Sequence, residues 1–171
     1  MDQRLKQVLS SDQAKLLKYW STYCRPDRLP TRAELGPAGM RNYLKHVSIL
    51  EYQIDDDFKF RLTGEGLKEV LGYEVRGRMV SDECGGDLPW DGALRRCRAT
   101  RSPVFGVTPV GHRRAHHWMR LPLEPVADGR QQILCFDRIQ FDEKGEGVLR
   151  EVMVVTADMV RSPMAVHESV I

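Results

Sequence analysis

The chain has 171 residues, of which 42% are hydrophobic and 29% charged, so it can fold as one globular domain, and a disordered chain is excluded. Its 26 basic and 24 acidic residues leave a formal charge of +2, which gives no argument for nucleic acid binding. Four cysteines without a CxxC pair predict a cytoplasmic protein with no disulfide and no metal site, and no apolar run approaches the roughly 20 residues that a membrane-spanning helix needs.

An amphipathic helix is predicted within residues 1–28. Ser10 offers an N-cap, and the helical pattern ends before Pro26. The apolar stripe of this helix is formed by Leu16, Leu17, Trp20 and Tyr23. Such a stripe needs cover, so we expect a homodimer in which these residues form the contact. The alternative cover is the sheet of the same subunit.

Residues 29–144 are predicted to form the core, an α+β domain whose antiparallel sheet has about five strands. Apolar runs, alternating or rich in β-branched residues, predict strands at 46–52, 58–63, 104–110, 116–126 and 131–141. A short helix is expected to end at Gly72, and a longer one to span 89–101. The tail, 145–171, is predicted to add a last strand or helix that packs on the sheet or on another subunit.

Five short motifs follow one another through these elements. They are YW at 19–20, LPTR at 29–32, FRLTG at 60–64, LGYEVRGR at 71–78 and RLPL at 120–123. Together with the order of helices and strands, they resemble the single-domain PAS proteins of α-proteobacteria over residues 16–141. The resemblance implies a PAS fold, in which helices pack on one face of the sheet and leave room for an internal cavity. It implies no particular ligand, because members of the family differ in what they hold.

The cavity is predicted to lie between the sheet and the helix at 89–101. By helical or strand parity its lining consists of Leu94, Cys97, His117, Met119 and Cys135. Of the adjacent histidines only one can face the core, and His117 is chosen because it shares parity with Met119. We interpret His117 as structural. We expect no haem or flavin, since the reactive-cysteine motif of light-sensing PAS domains is not reproduced around Cys84 or Cys97.

A row of arginines on the longer helix is the strongest concentration of charge. It comprises Arg95, Arg96, Arg98 and Arg101, with Arg113 and Arg114 further along the chain. The row is interpreted as a solvated helix face or as the surface for an anionic partner, which would be an acidic protein surface or a nucleotide. Nucleic acid binding is disfavoured, because aromatic residues do not alternate with these arginines.

The function predicted from these features is that of a non-catalytic sensory or interaction module in bacterial signalling. It would bind a small ligand or a protein partner, and a separate protein would supply the output. One alternative is a small enzyme that uses the cavity, although no nucleophile lies in a GxSxG or HExxH context. The other alternative is a nucleic acid or nucleotide binder that acts through the arginines.

Overall fold

The computed structural model describes residues 9–84, 88–141 and 150–154. Its α-helices are α1 (Ser11–Thr22), α2 (Glu65–Leu71), α3 (Val80–Cys84) and α4 (Ala93–Thr100). Its strands are β1 (Val47–Tyr52), β2 (Phe58–Leu62), β3 (Val104–Pro109), β4 (Arg114–Pro122), β5 (Gln132–Phe141) and β6 (Arg150–Val154). A short 3-10 helix, Leu44–His46, precedes β1, and a π-helical turn, Leu88–Gly92, precedes α4.

The strands form one antiparallel sheet in the order β2-β1-β5-β4-β3-β6. This confirms the α+β class and the antiparallel sheet, and each of the five predicted strands is present. The sixth strand comes from the predicted tail. It pairs with β3, where Val154 lies opposite Val104, so the sheet continues past residue 144. The rest of the tail lies outside the described residues.

Helix α1 begins with a capping box. The Ser10 hydroxyl accepts from the Gln13 backbone N–H at 3.3 Å, and the Gln13 side chain accepts from the Ser10 backbone N–H at 2.9 Å. Two side chains then attach the helix to β4. Gln13 Nε2 donates to the Trp118 carbonyl at 2.9 Å, and Trp20 Nε1 donates to the Pro122 carbonyl at 3.0 Å. The helix therefore lies along β4 and against one face of the sheet.

The apolar stripe of α1 is covered by the chain's own sheet. Leu16 and Leu17 are fully buried, Trp20 is 4% exposed, and Tyr23 packs at the edge of the same core. The reason given for a dimer contact through this stripe therefore does not hold, because the alternative cover is the one the chain adopts. Association of two copies stays a prediction, but it needs another contact surface.

Both faces of the sheet carry a core. On the α1 face, β4 and β5 contribute Met119, Leu121, Leu134 and Phe136. On the opposite face, α2, α3 and α4 pack on Trp118, Ile133 and Cys135 from the same two strands. Successive residues of a strand point to opposite faces, so the two central strands are almost entirely buried along these stretches.

We expect Leu17→Ala to lower the free energy of unfolding by about 2–5 kcal/mol, because it leaves a cavity between α1 and the sheet. Lys15→Ala, on the exposed side of the same helix, should change the free energy of unfolding little. Urea titrations monitored by circular dichroism measure both. Equal midpoints for the two variants would contradict the placement of α1 on the sheet.

Candidate functional site

Three ionisable side chains are buried together between the sheet and the helices α2 to α4. Arg120 and His116 come from β4 and Asp137 comes from β5, and each is at most 2% exposed. The Arg120 guanidinium donates to both carboxylate oxygens of Asp137, with Nη2 at 3.0 Å from Oδ1 and Nη1 at 3.2 Å from Oδ2. His116 Nε2 lies 2.8 Å from Asp137 Oδ1. We call these three residues the ion cluster.

Arg120 also attaches the π-helical turn to the sheet. Its Nε donates to the Pro89 carbonyl at 2.9 Å, and Nη1 donates to the Phe136 carbonyl at 3.3 Å. The guanidinium lies over the ring of Trp90, with its carbon 4.6 Å from the ring centroid. A guanidinium is planar and has five N–H donors, so it can bind a carboxylate with two hydrogen bonds and stack on an aromatic ring at the same time. A lysine ammonium could not make this combination of contacts.

Arg120 and Asp137 remain charged at neutral pH. Burial alone would raise the pKa of Asp137, but the charge of Arg120 and the His116 hydrogen bond outweigh it, so the pKa of this carboxyl is lowered. For Arg120, burial opposes the charge and the Asp137 carboxylate restores it, with a raised pKa as the result. A carboxylate that has a lowered pKa and already accepts three hydrogen bonds is a poor general base.

The neighbouring thiols are unreactive. Cys97 donates to the Arg120 carbonyl at 3.4 Å, and burial raises the pKa of its thiol well above the usual value. Burial likewise raises the pKa of Cys135 to about 12. The thiolate is the nucleophilic form, so neither residue is a nucleophile at neutral pH.

The residues predicted to line a cavity are divided between the two faces of the sheet. Leu94, Cys97 and Cys135 lie in the core beneath the helices, and their role as a ligand-binding lining stays a prediction. Met119 packs in the α1 core instead, and His117 has the same strand parity. The choice of His117 over His116 is therefore wrong. Both faces of β4 are buried, so alternation could not tell which of them faces the helices.

Large side chains fill the interior where the cavity was expected. Trp118 and Phe60 are fully buried, Trp90 is 3% exposed, and Arg120 lies between the two tryptophan rings. The Phe60 and Trp90 rings meet edge to face, with centroids 6.2 Å apart. Among the described residues, this part of the interior is therefore densely packed.

A pocket of about 200 Å³ lies at the C-terminal end of α1. It is lined by residues 20, 21 and 24–29, and by the turn between α4 and β3, residues 101–103. A smaller pocket adjoins it, shares Leu29 and Arg101 with it, and extends towards Tyr52 and Gln131. The two pockets together form what we call the groove. Sequence analysis did not identify it, because its two walls are more than 70 residues apart in the chain.

The predicted arginine row is held largely by groups of the same chain. Arg95 binds Asp91 and Asp56, and the Arg98 guanidinium stacks on Tyr52 at 3.6 Å from its ring centroid. Arg101 donates to Glu124 at 3.0 Å. Arg96 is exposed on α4. Its use as an anion or partner surface stays a prediction, and only Arg98 and Arg101 of the row line the groove.

His46 is a buried histidine that sequence analysis also missed. It is 4% exposed, and neither ring nitrogen has a hydrogen-bond partner among the described residues. Gly66 of α2 packs so close that a Cβ there would come within 2.5 Å of His46 Nδ1. Burial lowers the pKa of His46, and the charges of Arg138 and Lys45 lower it further, against smaller opposing effects of Glu69 and Asp12.

Within the part of the chain that the structure describes, no three His, Cys, Asp or Glu side chains come together as metal ligands would. None of the helices there has the length and apolar character that crossing a bilayer requires.

Comparison with known proteins adds one finding. Residues 8–84 match the family model described as the PAS domain, which covers α1, the first hairpin, α2 and α3. This confirms the resemblance carried by the motifs at 19–20, 29–32, 60–64 and 71–78. No curated protein matches the chain.

We expect Asp137→Asn to lower the free energy of unfolding by about 3–5 kcal/mol, because it leaves the Arg120 charge buried without its counter-ion. Adding Arg120→Met should recover part of this loss, since the uncompensated charge is then gone. Asp128→Asn weakens the exposed pair with Arg130 and should leave stability nearly unchanged. Urea unfolding of the wild type and the three variants measures these free energies. An Asp137→Asn variant as stable as the wild type would contradict a buried ion pair between Arg120 and Asp137.

Stability should fall as the pH drops below about 6.5, the value for an unfolded histidine, because the unfolded chain then binds a proton that folded His46 excludes. One such group contributes a slope of at most about 1.4 kcal/mol per pH unit. His46→Leu should flatten the dependence, whereas His112→Leu, at an exposed turn, should keep it. Urea midpoints between about pH 8 and pH 5.5 measure this. Parallel pH curves for His46→Leu and wild type would contradict the assignment.

Proposed function

Residues 8–84 match the family model of the PAS domain, and from that match we propose that the chain is a non-catalytic signalling module. In this proposal it works by binding a protein partner at its surface. A PAS match supports a sensory or signalling role in general. The finer statement, that the output depends on a surface contact rather than on a cofactor held inside, is the proposal.

The observation that carries the proposal is the packed space between the sheet and the helices. Trp90, Trp118 and Phe60 fill it, and the ion cluster occupies its centre. A ligand there would have to displace a bidentate pair whose two charges are fully buried, which costs several kcal/mol unless the ligand replaces every contact. The interior therefore supports the fold, and recognition is left to the surface.

The chemistry of the ion cluster argues against the alternative of a small enzyme. His116 and Asp137 are arranged like a general base and the carboxylate that orients it. However, no hydroxyl or ionised thiol contacts His116 among the described residues, so this pair has no nucleophile to activate. The nearby thiols of Cys97 and Cys135 have raised pKa values. The alternative of a nucleic acid binder is weakened too, because Arg95, Arg98 and Arg101 already contact groups of the same chain.

Freshly purified protein should be colourless, and its native mass should be that of one or two polypeptide chains with no added small molecule. The reason is that Trp90, Trp118 and Phe60 pack together in the core where a haem or flavin would otherwise lie. An absorbance spectrum and a native mass spectrum of the same sample measure this. A visible absorbance band, or a retained small molecule that survives buffer exchange, would contradict a surface-acting module.

A stricter test of the partner needs purified components. The full chain is used to capture proteins from its own host, each candidate is produced separately, and the complex is rebuilt and weighed by native mass spectrometry. A rebuilt complex of fixed stoichiometry supports the proposal. Turnover of a captured small molecule by the chain alone would overturn it in favour of an enzyme.

A further inference from the structure

We infer that the groove receives the β1–β2 turn of a second copy of this chain, so that two copies exchange turns and form a symmetric dimer. The contact places the isoleucine of one turn in the 200 Å³ pocket at the end of α1 and the adjacent carboxylate against the arginines of the groove. This inference goes beyond the proposed function and does not depend on the identity of a protein partner.

The turn that would be inserted presents an apolar side chain to water. Ile54 is 105% exposed, which is more than any other large hydrophobic residue among those described. It lies next to Asp55, which is exposed as well. The Ile54 side chain is fully exposed in its own subunit, so it is available for a contact outside the subunit.

The turn is rigid, which favours it as a docking element. The Gln53 N–H donates to the Asp57 carbonyl at 2.8 Å, and Asp56 takes the left-handed conformation with φ 62°. Asp56 accepts from the Tyr52 hydroxyl at 2.6 Å, and Asp57 accepts from the Ser81 hydroxyl at 2.6 Å. A preorganised turn loses little conformational freedom on binding.

The pocket matches one apolar side chain. Its apolar walls come from Trp20, Pro26, Leu29 and Pro103. Its volume of about 200 Å³ is smaller than the roughly 300–1,000 Å³ of sites that enclose a drug-sized ligand. The pocket is also open on the side of Leu29, where it meets the second pocket. This open shape suits a side chain of another protein chain, whose backbone stays outside, better than a small molecule that must be enclosed.

The charge of the groove is complementary to the turn. Four arginines line the two pockets, namely Arg25, Arg28, Arg98 and Arg101, against one carboxylate, Asp27. Glu34 and Glu124 neutralise Arg28 and Arg101 in part. Arg101 gives Glu124 one Nη2 donor, and a guanidinium has five, so it can bind a second carboxylate. Asp55 of the second copy supplies that carboxylate.

Arg101 has a backbone conformation that glycine usually supplies. It caps the C-terminal end of α4 with φ 49° and ψ 34°, in the left-handed region. A residue with a Cβ is disfavoured in this conformation, which glycine adopts without strain. This also makes Arg101→Gly a mild change for the fold, because it removes the guanidinium and relieves the backbone.

The turn and the groove lie at the same end of the sheet. Tyr52, the last residue of β1 before the turn, also lines the second pocket, and Arg95 of α4 holds the turn through Asp56. A twofold axis between turn and groove then lets each copy insert its turn into the other, which is the geometry of a closed symmetric dimer. The contact would then involve Trp20 and Cys24 at the C-terminal end of α1, while Leu16 and Leu17 of the stripe stay buried against the sheet.

The test begins with the wild-type chain in sedimentation equilibrium at micromolar concentration, where a dimer is expected. Ile54→Ser should raise the dissociation constant of the dimer about tenfold or more, since it removes one buried isoleucine on each side. Arg101→Gly should also weaken the dimer. Arg96→Gly, an exposed arginine of α4 outside the groove, should leave it unchanged. Circular dichroism checks that each variant folds.

A charge exchange tests the pairing itself. Asp55→Arg and Arg101→Asp should each give a monomer, because each places like charges in both contacts. Mixing the two variants should restore a dimer, since each turn then meets a groove of opposite charge. Cys24, the one cysteine of the four that is not buried, should react with a thiol reagent more slowly in the dimer than in either variant alone.

Three outcomes would overturn the inference. The first is a wild-type monomer over the whole concentration range, which would leave the groove to a segment of another protein or to a small acid. The second is a dimer that Ile54→Ser and Arg101→Gly leave intact, which would place the contact elsewhere. The third is a failure of the mixed charge variants to associate. None of these results bears on whether a signalling partner binds.

Discussion

A cation and an anion buried side by side constrain the whole sheet. Arg120 and Asp137 are both fully shielded from water, and removing two charges from solvent costs several kcal/mol each before their attraction is counted. This cost is offset by the two hydrogen bonds between guanidinium and carboxylate. The hydrogen bonds that Arg120 donates to the carbonyls of Pro89 and Phe136 offset it further. The pair therefore holds β4, β5 and the turn before α4 in one arrangement, because a shift of any of them would leave a buried charge without its partner.

Strand β4 transmits this constraint to the opposite face. Arg120 and Trp118 point towards the helices, while Met119 and Leu121 between and beyond them pack under α1. The backbone of the same strand binds α1, because the carbonyls of Trp118 and Pro122 accept from Gln13 and Trp20. Both layers of the molecule are thus positioned by one strand. The sheet behaves as a middle layer with no water-facing side along its central strands.

The order of elements was predictable because each signal is local. The Ser10 cap, Gly72 at the end of α2 with φ 85° and the alternation of the strands all depend on neighbouring residues. The site was less predictable. Alternation in β4 gives a period of two but not which face meets the helices, since both faces are buried. Arg120 was known only as part of the RLPL motif, and its counter-ion lies 17 residues away. His46 carries no local signal, because its burial depends on Gly66 and Phe136.

The groove depends on the same tertiary constraints as the ion cluster. One wall is the end of α1, whose position follows from Trp20 bound to the Pro122 carbonyl, two residues beyond Arg120. The other wall, at 101–103, continues from α4, which packs on the sheet through Leu94 and Cys97. Leu29 between them is fixed by its N–H, which donates to Glu124, the residue that also holds Arg101. A movement of α1 that widened the pocket would have to break the Trp20 bond to β4. The shape of the groove is therefore coupled to the packing around the ion cluster, through the hydrogen bonds of Trp20, Leu29 and Arg101.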